Sequence, residues 1–227
     1  DLRSASAETL VEVSAGSPPD VSISGGSAKA NPTKRLVLYG NAEPSFVGDV
    51  IELHWTAKVR NTSSADYDTF DLTNTGVLST SVHGANLVVQ PHQLDGSKQY
   101  TFILTATGRD SVGYSKVNVA INAAPCCGTM LVQPADQGVA VLDPFTINAL
   151  GWQDEDLPLS YLFATALNTE DAVVTPLVDF GPESYATVRL PPGSAANNYR
   201  RSILLEVRDV FDATASSSVV VRVQPFT

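Results

Sequence analysis

The chain alternates apolar and polar residues at a period of two over short stretches, and this pattern predicts strands rather than helices. Asp49-Val50-Ile51-Glu52-Leu53-His54-Trp55-Thr56, Tyr100–Ala106, Lys116–Ile121, Phe145–Ala149, Ser202–Val207 and Ser218–Val223 all carry it. Gly, Pro, Asn and Asp stand between these runs, as turns require. One ending recurs. Arg109-Asp110 leads into Lys116–Ile121 and stops at Pro125, while Arg208-Asp209 leads into Ser218–Val223 and stops at Pro225. Thr9–Val13 followed by Pro18-Pro19 reads as the same ending without its beginning. A domain-sized period with strand chemistry predicts an array of β modules.

Aligning outward from the repeated ending pairs Trp55 with Trp152, 97 residues apart. Leu94, Gly96 and Tyr100 then face Leu190, Gly193 and Tyr199, at offsets of 96, 97 and 99. A tryptophan filling a core about 10 Å thick, and a tyrosine just before a late strand, suit an immunoglobulin-like or fibronectin-like sandwich. The expected fold is therefore all-β, with two tandem Greek-key β-sandwiches over residues 20–123 and 124–227. Residues 1–19 are expected to be the terminal strand and linker of a preceding module, which makes the chain a segment of something longer. Asn61–Asp71 is polar and poorly patterned and reads as a long surface loop.

The stretch from Leu87 to Leu167 is more specific than a generic sandwich. Leu94, Gly96, Tyr100 and Phe102 are followed by Asn122, Pro125 and Gly128, then Val132, Pro134, Gly138 and Phe145. Gly151-Trp152-Gln153-Asp154 and Leu157-Pro158-Leu159-Ser160-Tyr161 complete the series. This resembles the receptor-for-egg-jelly (REJ) module of polycystin-type receptors and related ciliary or gamete-surface proteins. The resemblance implies a non-enzymatic, extracellular or cell-surface stalk segment, in a glycoprotein of the ciliary membrane or a similar surface. Many such modules carry cysteines near the positions of Met130 and Ala149, where a bond could staple two strands; this chain has neither.

Charge and chemistry narrow the picture. The net charge of −10 is uneven: residues 124–227 hold 12 Asp or Glu against 5 Arg and no Lys. Such a field repels phosphate backbones, so nucleic acid is not an expected partner. Neighbouring β modules and other cell-surface or matrix proteins are. No run approaches the ~20 apolar residues of a membrane span. His54, His83 and His92 are scattered over three segments, and no glycine-rich phosphate loop leads from a strand into a helix, so no catalytic residue and no enzyme are expected.

Asp154-Glu155-Asp156, beside Asp209 and Asp212, could supply the hard oxygen ligands that Ca²⁺ takes, the one cofactor the sequence suggests. A competing reading, and the preferred one, caps a turn with Asp154 while Leu157, Leu159 and Tyr161 enter the core. Ca²⁺-dependent adhesion stays open as an alternative function. An accessory carbohydrate-binding module stays open too, although it needs a planar row of exposed aromatics and most Phe and Tyr fall on expected core faces. Arg109-Asp110 and Arg208-Asp209 lack the glycine spacing of an adhesive tripeptide, and their aspartates are expected to bind hairpin amides. Asn61-Thr62-Ser63 is an N-glycosylation acceptor. Cys126 and Cys127 are adjacent, and neighbouring cysteines rarely reach good disulfide geometry. Free thiols or an intermolecular bond are expected ahead of a vicinal one.

Overall fold

The computed structural model describes residues 17–61, 66–135, 137–167 and 173–226. The terminal strand expected within Thr9–Val13 lies outside them. Among the described residues sixteen strands divide between two units, one of residues 1–30 and 34–121, the other of 31–33 and 122–227. In the first unit the strands are β1 (Asp20–Gly25), β2 (Lys29–Ala30), β3 (Leu36–Glu43), β4 (Glu52–Asn61), β5 (Asp68–Phe70), β6 (Asn86–Val89), β7 (Lys98–Thr107) and β8 (Val112–Ile121). In the second they are β9 (Thr129–Gln133), β10 (Gln137–Val139), β11 (Pro144–Leu150), β12 (Ser160–Ala166), β13 (Thr175–Gly181), β14 (Tyr185–Arg189), β15 (Arg200–Arg208) and β16 (Thr214–Gln224).

Both units have one topology. Sheets β1-β3-β6 and β2-β8-β7-β4-β5 build the first, and β9-β11-β14 and β10-β16-β15-β12-β13 build the second. Every pairing is antiparallel except those of β2 with β8 and β10 with β16. The alternation in the sequence explains the layers. Trp55 and Ala57 on β4, and Tyr100, Phe102, Leu104 and Ala106 on β7, are buried, while Glu52, His54, Thr56 and Lys58 face solvent. Phe145 and Ile147 on β11 meet Phe163, Ile203, Leu205 and Val207 in the second core.

The strand register corrects the alignment made from sequence. Trp55 lies across from Leu104, three residues before the β7–β8 hairpin closes at Thr107 and Val112. The residue three before the matching closure at Arg208 and Thr214 is Leu205, and Phe163 lies across from it. Phe163, not Trp152, therefore occupies the place of Trp55. Trp152 follows β11, a strand of the opposite sheet, and packs at the margin of the core. There it lies against Gly128, where an added Cβ would collide with the indole. The expected loop at 61–71 also contains a strand: β5 pairs with β4, setting Phe70 across from Ala57.

The same counting separates the two corners. The Tyr100 hydroxyl accepts a hydrogen bond from the Asp95 amide at 3.0 Å, closing a tyrosine corner. Its counterpart is Arg201 rather than Tyr199, because Tyr100 pairs with Val119 as Arg201 pairs with Val221. Arg201 is 8% exposed, and its Nε donates to the Pro191 carbonyl at 3.2 Å. Tyr199 sits in the preceding turn at φ +58°.

Candidate metal centre

The acidic run sits where β11 gives way to β12. Gly151 turns the chain at φ +71°, a left-handed conformation that suits glycine. Gln153 then pairs with Cys126, amide to carbonyl in both directions, at 2.9 and 3.0 Å. Asp154 Oδ1 accepts from the Asp156 amide at 2.7 Å, which is the capped turn read from sequence. Alternate residues of this turn share a side: Asp154 and Asp156 are partly buried, while Glu155 is exposed. Leu159 enters the core, whereas Leu157 is exposed, against expectation, because the chain has not yet joined the sheet.

Asp209 approaches from the other direction. It follows the last residue of β15 and is 3% exposed. Its Oδ1 accepts from the amides of Phe211 and Ala213 at 2.8 and 2.9 Å, so the carboxylate shapes the β15–β16 hairpin as expected. Its Oδ2 accepts from Asn122 Nδ2 at 2.6 Å. Asn122, the residue after β8, is fully buried, and its Oδ1 has no hydrogen-bond partner. Carboxylate oxygens of Asp154, Asp156 and Asp209 all lie within 4.8 Å of one another. Three of the four residues expected to hold a cation are therefore brought together, and Glu155 is not among them. A hollow of about 380 Å³ lined by Ser160, Arg208, Asp209 and Asp212 opens beside Asp209. Arg208 stacks on the Phe180 ring at 3.9 Å and lies 3.8 Å from Asp212.

Asp110 is not the counterpart of Asp209. That place belongs to Gly108, and Asp110 is exposed in the loop beyond it. The first hairpin borrows its carboxylate from Asp49, whose Oδ2 accepts from the Arg109 amide at 3.4 Å. The shared Arg-Asp dipeptide is a local likeness, out of register by two residues.

The structure joins Cys126 and Cys127 to each other, where the sequence put free or intermolecular thiols ahead of a vicinal bond. The Cys126 backbone is bridged to that of Gln153, and Cys127 takes φ +70°. Asn61 is the last residue of β4, and Thr62 and Ser63 of its acceptor triplet lie outside the described residues. Sequence reasoning missed one pair: the rings of His54 and His83 come to 4.9 Å, with His83 Nδ1 at 3.1 Å from the Leu53 carbonyl. Twenty-nine residues separate them, and no spacing rule connects the two. Among the described residues, the exposed strand tyrosines Tyr39, Tyr114 and Tyr185 stand on three different sheets.

With two copies of one sandwich and this acidic corner in view, the family assignment follows. A family model described as the REJ domain matches residues 1–227. The chain belongs to the REJ domain family. REJ domains are typical of extracellular or cell-surface proteins and are typically non-catalytic structural modules. Solved structures similar to this REJ chain are themselves tandem arrays. Domains A168–A170 of titin are 13% identical with a TM-score of 0.45, over 90% of this chain and 65% of that one. The FN1–FN3 domains of chicken CNTN1 are 12% identical with a TM-score of 0.37, over 91% and 69%. The three N-terminal domains of the bacteriophage RB49 outer capsid protein Hoc are 9% identical with a TM-score of 0.43, over 92% and 71%. Among the described residues no helix is long and apolar enough to cross a membrane.

Proposed function

We propose that this REJ chain is a non-enzymatic structural and adhesive segment of the ectodomain of a large cell-surface glycoprotein, one of the ciliary membrane. The observation that carries the reading is the repeat of one eight-strand unit in a single REJ chain. Repetition of a packed module extends a chain and multiplies surface without building a catalytic cleft. Its partners would be neighbouring β modules and other cell-surface or matrix proteins. Asn61 would carry glycan, at the end of β4. The test is to secrete the full chain from ciliated mammalian cells, map glycans by mass spectrometry, and score binding of the labelled protein to cell surfaces. Glycan at Asn61 with saturable binding concentrated on cilia is the expected result. An unglycosylated chain that binds no surface would overturn the reading.

The Asp154–Asp156–Asp209 cluster favours a second reading, in which adhesion depends on Ca²⁺. Carboxylate oxygens gathered this closely are the hard donor set that a divalent cation such as Ca²⁺ takes. A native-state ligand raises stability, so adding Ca²⁺ should raise the melting temperature of the chain, and a chelator should reverse the gain. No change in either direction would dismiss it. Carbohydrate binding draws less support, because the exposed strand tyrosines share no sheet.

A further inference from the structure

Two of the three histidines of the chain meet on the outside of the first unit. His54 is exposed on the solvent face of β4, and His83 is exposed in the segment between β5 and β6. Trp55, the buried residue next to His54, holds both backbones in place. Its amide donates to the Val82 carbonyl at 2.8 Å, and its indole Nε1 donates to the Gly84 carbonyl at 2.9 Å. The residues on either side of His83 are thereby pinned beside His54. The His83 amide donates to Ser81 Oγ at 3.1 Å.

The His83 ring is oriented as well. Its Nδ1 lies 3.1 Å from the Leu53 carbonyl oxygen. A carbonyl only accepts, so Nδ1 carries the proton, and in the neutral ring Nε2 keeps its lone pair. A metal-binding imidazole has this arrangement, with its other N–H donated to a carbonyl or carboxylate. The two ring centres lie 4.9 Å apart. Imidazoles sharing one metal at ~2.0–2.1 Å stand with ring centres roughly 4.5–5.2 Å apart, for angles from square to tetrahedral. The observed separation falls inside that interval. Thr105, across from His54, is uncharged, and the nearest charge along β4 is that of Glu52, exposed on the same face. Its sign favours a cation.

We propose that His54 and His83 form a two-histidine site for a divalent transition-metal ion of the Zn²⁺ class, bound through His83 Nε2 and a ring nitrogen of His54. Imidazole nitrogen suits Zn²⁺ and not the hard Ca²⁺ ion, so this site differs in chemistry from the carboxylate corner. Water fills the remaining positions of a four-coordinate ion. The bound ion fastens the segment before β6 to β4, adding a side-chain link to the hydrogen bonds of Trp55.

The experiment uses the full chain with ZnCl₂ as probe and CaCl₂ as control, at a pH above the ordinary imidazole pKa so that the rings are neutral. NMR of the ¹⁵N-labelled imidazoles reads the three histidines separately. Zn²⁺ is expected to shift the ring nitrogens of both His54 and His83 together and to leave those of His92 in place. CaCl₂ should move neither ring of the pair. In isothermal titration calorimetry, His54→Gln and His83→Gln should each bind Zn²⁺ roughly tenfold more weakly or worse, since even outer-shell partners of a metal typically contribute 10–100-fold. His92→Gln should bind as the native chain does. Unmoved His54 and His83 rings in excess Zn²⁺, a shift confined to one of the two, or native affinity in His54→Gln would overturn the shared site. The ring signals are read on the native chain, so the conclusion does not depend on the variants folding.

Discussion

Tyr100 and Arg201 hold equivalent places, yet one completes its corner with a hydroxyl and the other with a guanidinium. Burial pulls the Arg201 pKa below its ordinary value, because a desolvated guanidinium favours the neutral form. The two corners should therefore respond differently to truncation. Tyr100→Phe leaves the Asp95 amide without its acceptor and should lower stability by about 1 kcal/mol in urea melts. Arg201→Met gives up one hydrogen bond but releases a desolvated charge, and should change stability by less than ~1 kcal/mol in either direction. A loss at Arg201→Met well beyond that of Tyr100→Phe would show that the guanidinium is worth more than its single bond to Pro191. Gly128 offers a third test. Its missing Cβ leaves room for the Trp152 ring, so Gly128→Ala should cost about 1–3 kcal/mol through overpacking. Unchanged stability would mean that the indole moves aside freely.

At the scale of elements, strand positions were legible because alternation reports directly on a half-buried pleat. The runs Tyr100–Ala106, Phe145–Ala149 and Ser202–Val207 all fall inside β7, β11 and β15. Equivalence between the units was less legible. Trp152 and Tyr199 resemble Trp55 and Tyr100 as residue types, but a phenylalanine and an arginine fill those places. Residue identity can drift while the register is kept, and only cross-strand pairing shows the drift. The candidate site was half legible. Asp154 and Asp156 adjoin in sequence, whereas Asn122 is separated from Asp209 by 87 residues and no local pattern joins them. The missing family cysteines supply an element-scale test. Met130 and Ala149 are cross-strand partners on β9 and β11, both buried. The pair Met130→Cys and Ala149→Cys should close a disulfide visible by mass spectrometry and add about 3 kcal/mol, as a loop of this length predicts. Thiols that stay free under oxidising conditions would contradict the β9–β11 register.

At the scale of the whole molecule, two units share a topology and pack separate cores. Each core is anchored by one large aromatic against the late hairpin: Trp55 in the first unit and Phe163 in the second. Truncating either to alanine should cost about 3–5 kcal/mol, and the loss should fall on that unit alone. The proposed structural role at a cell surface requires that the two units unfold separately. Stretching the full chain in a single-molecule force experiment tests this most directly. Two unfolding events are predicted, each releasing roughly 30 nm of chain, since about 100 residues extend at 3.3–3.6 Å apiece less the folded length. A single event of twice that length, or a featureless extension, would contradict the division into two independently folded sandwiches.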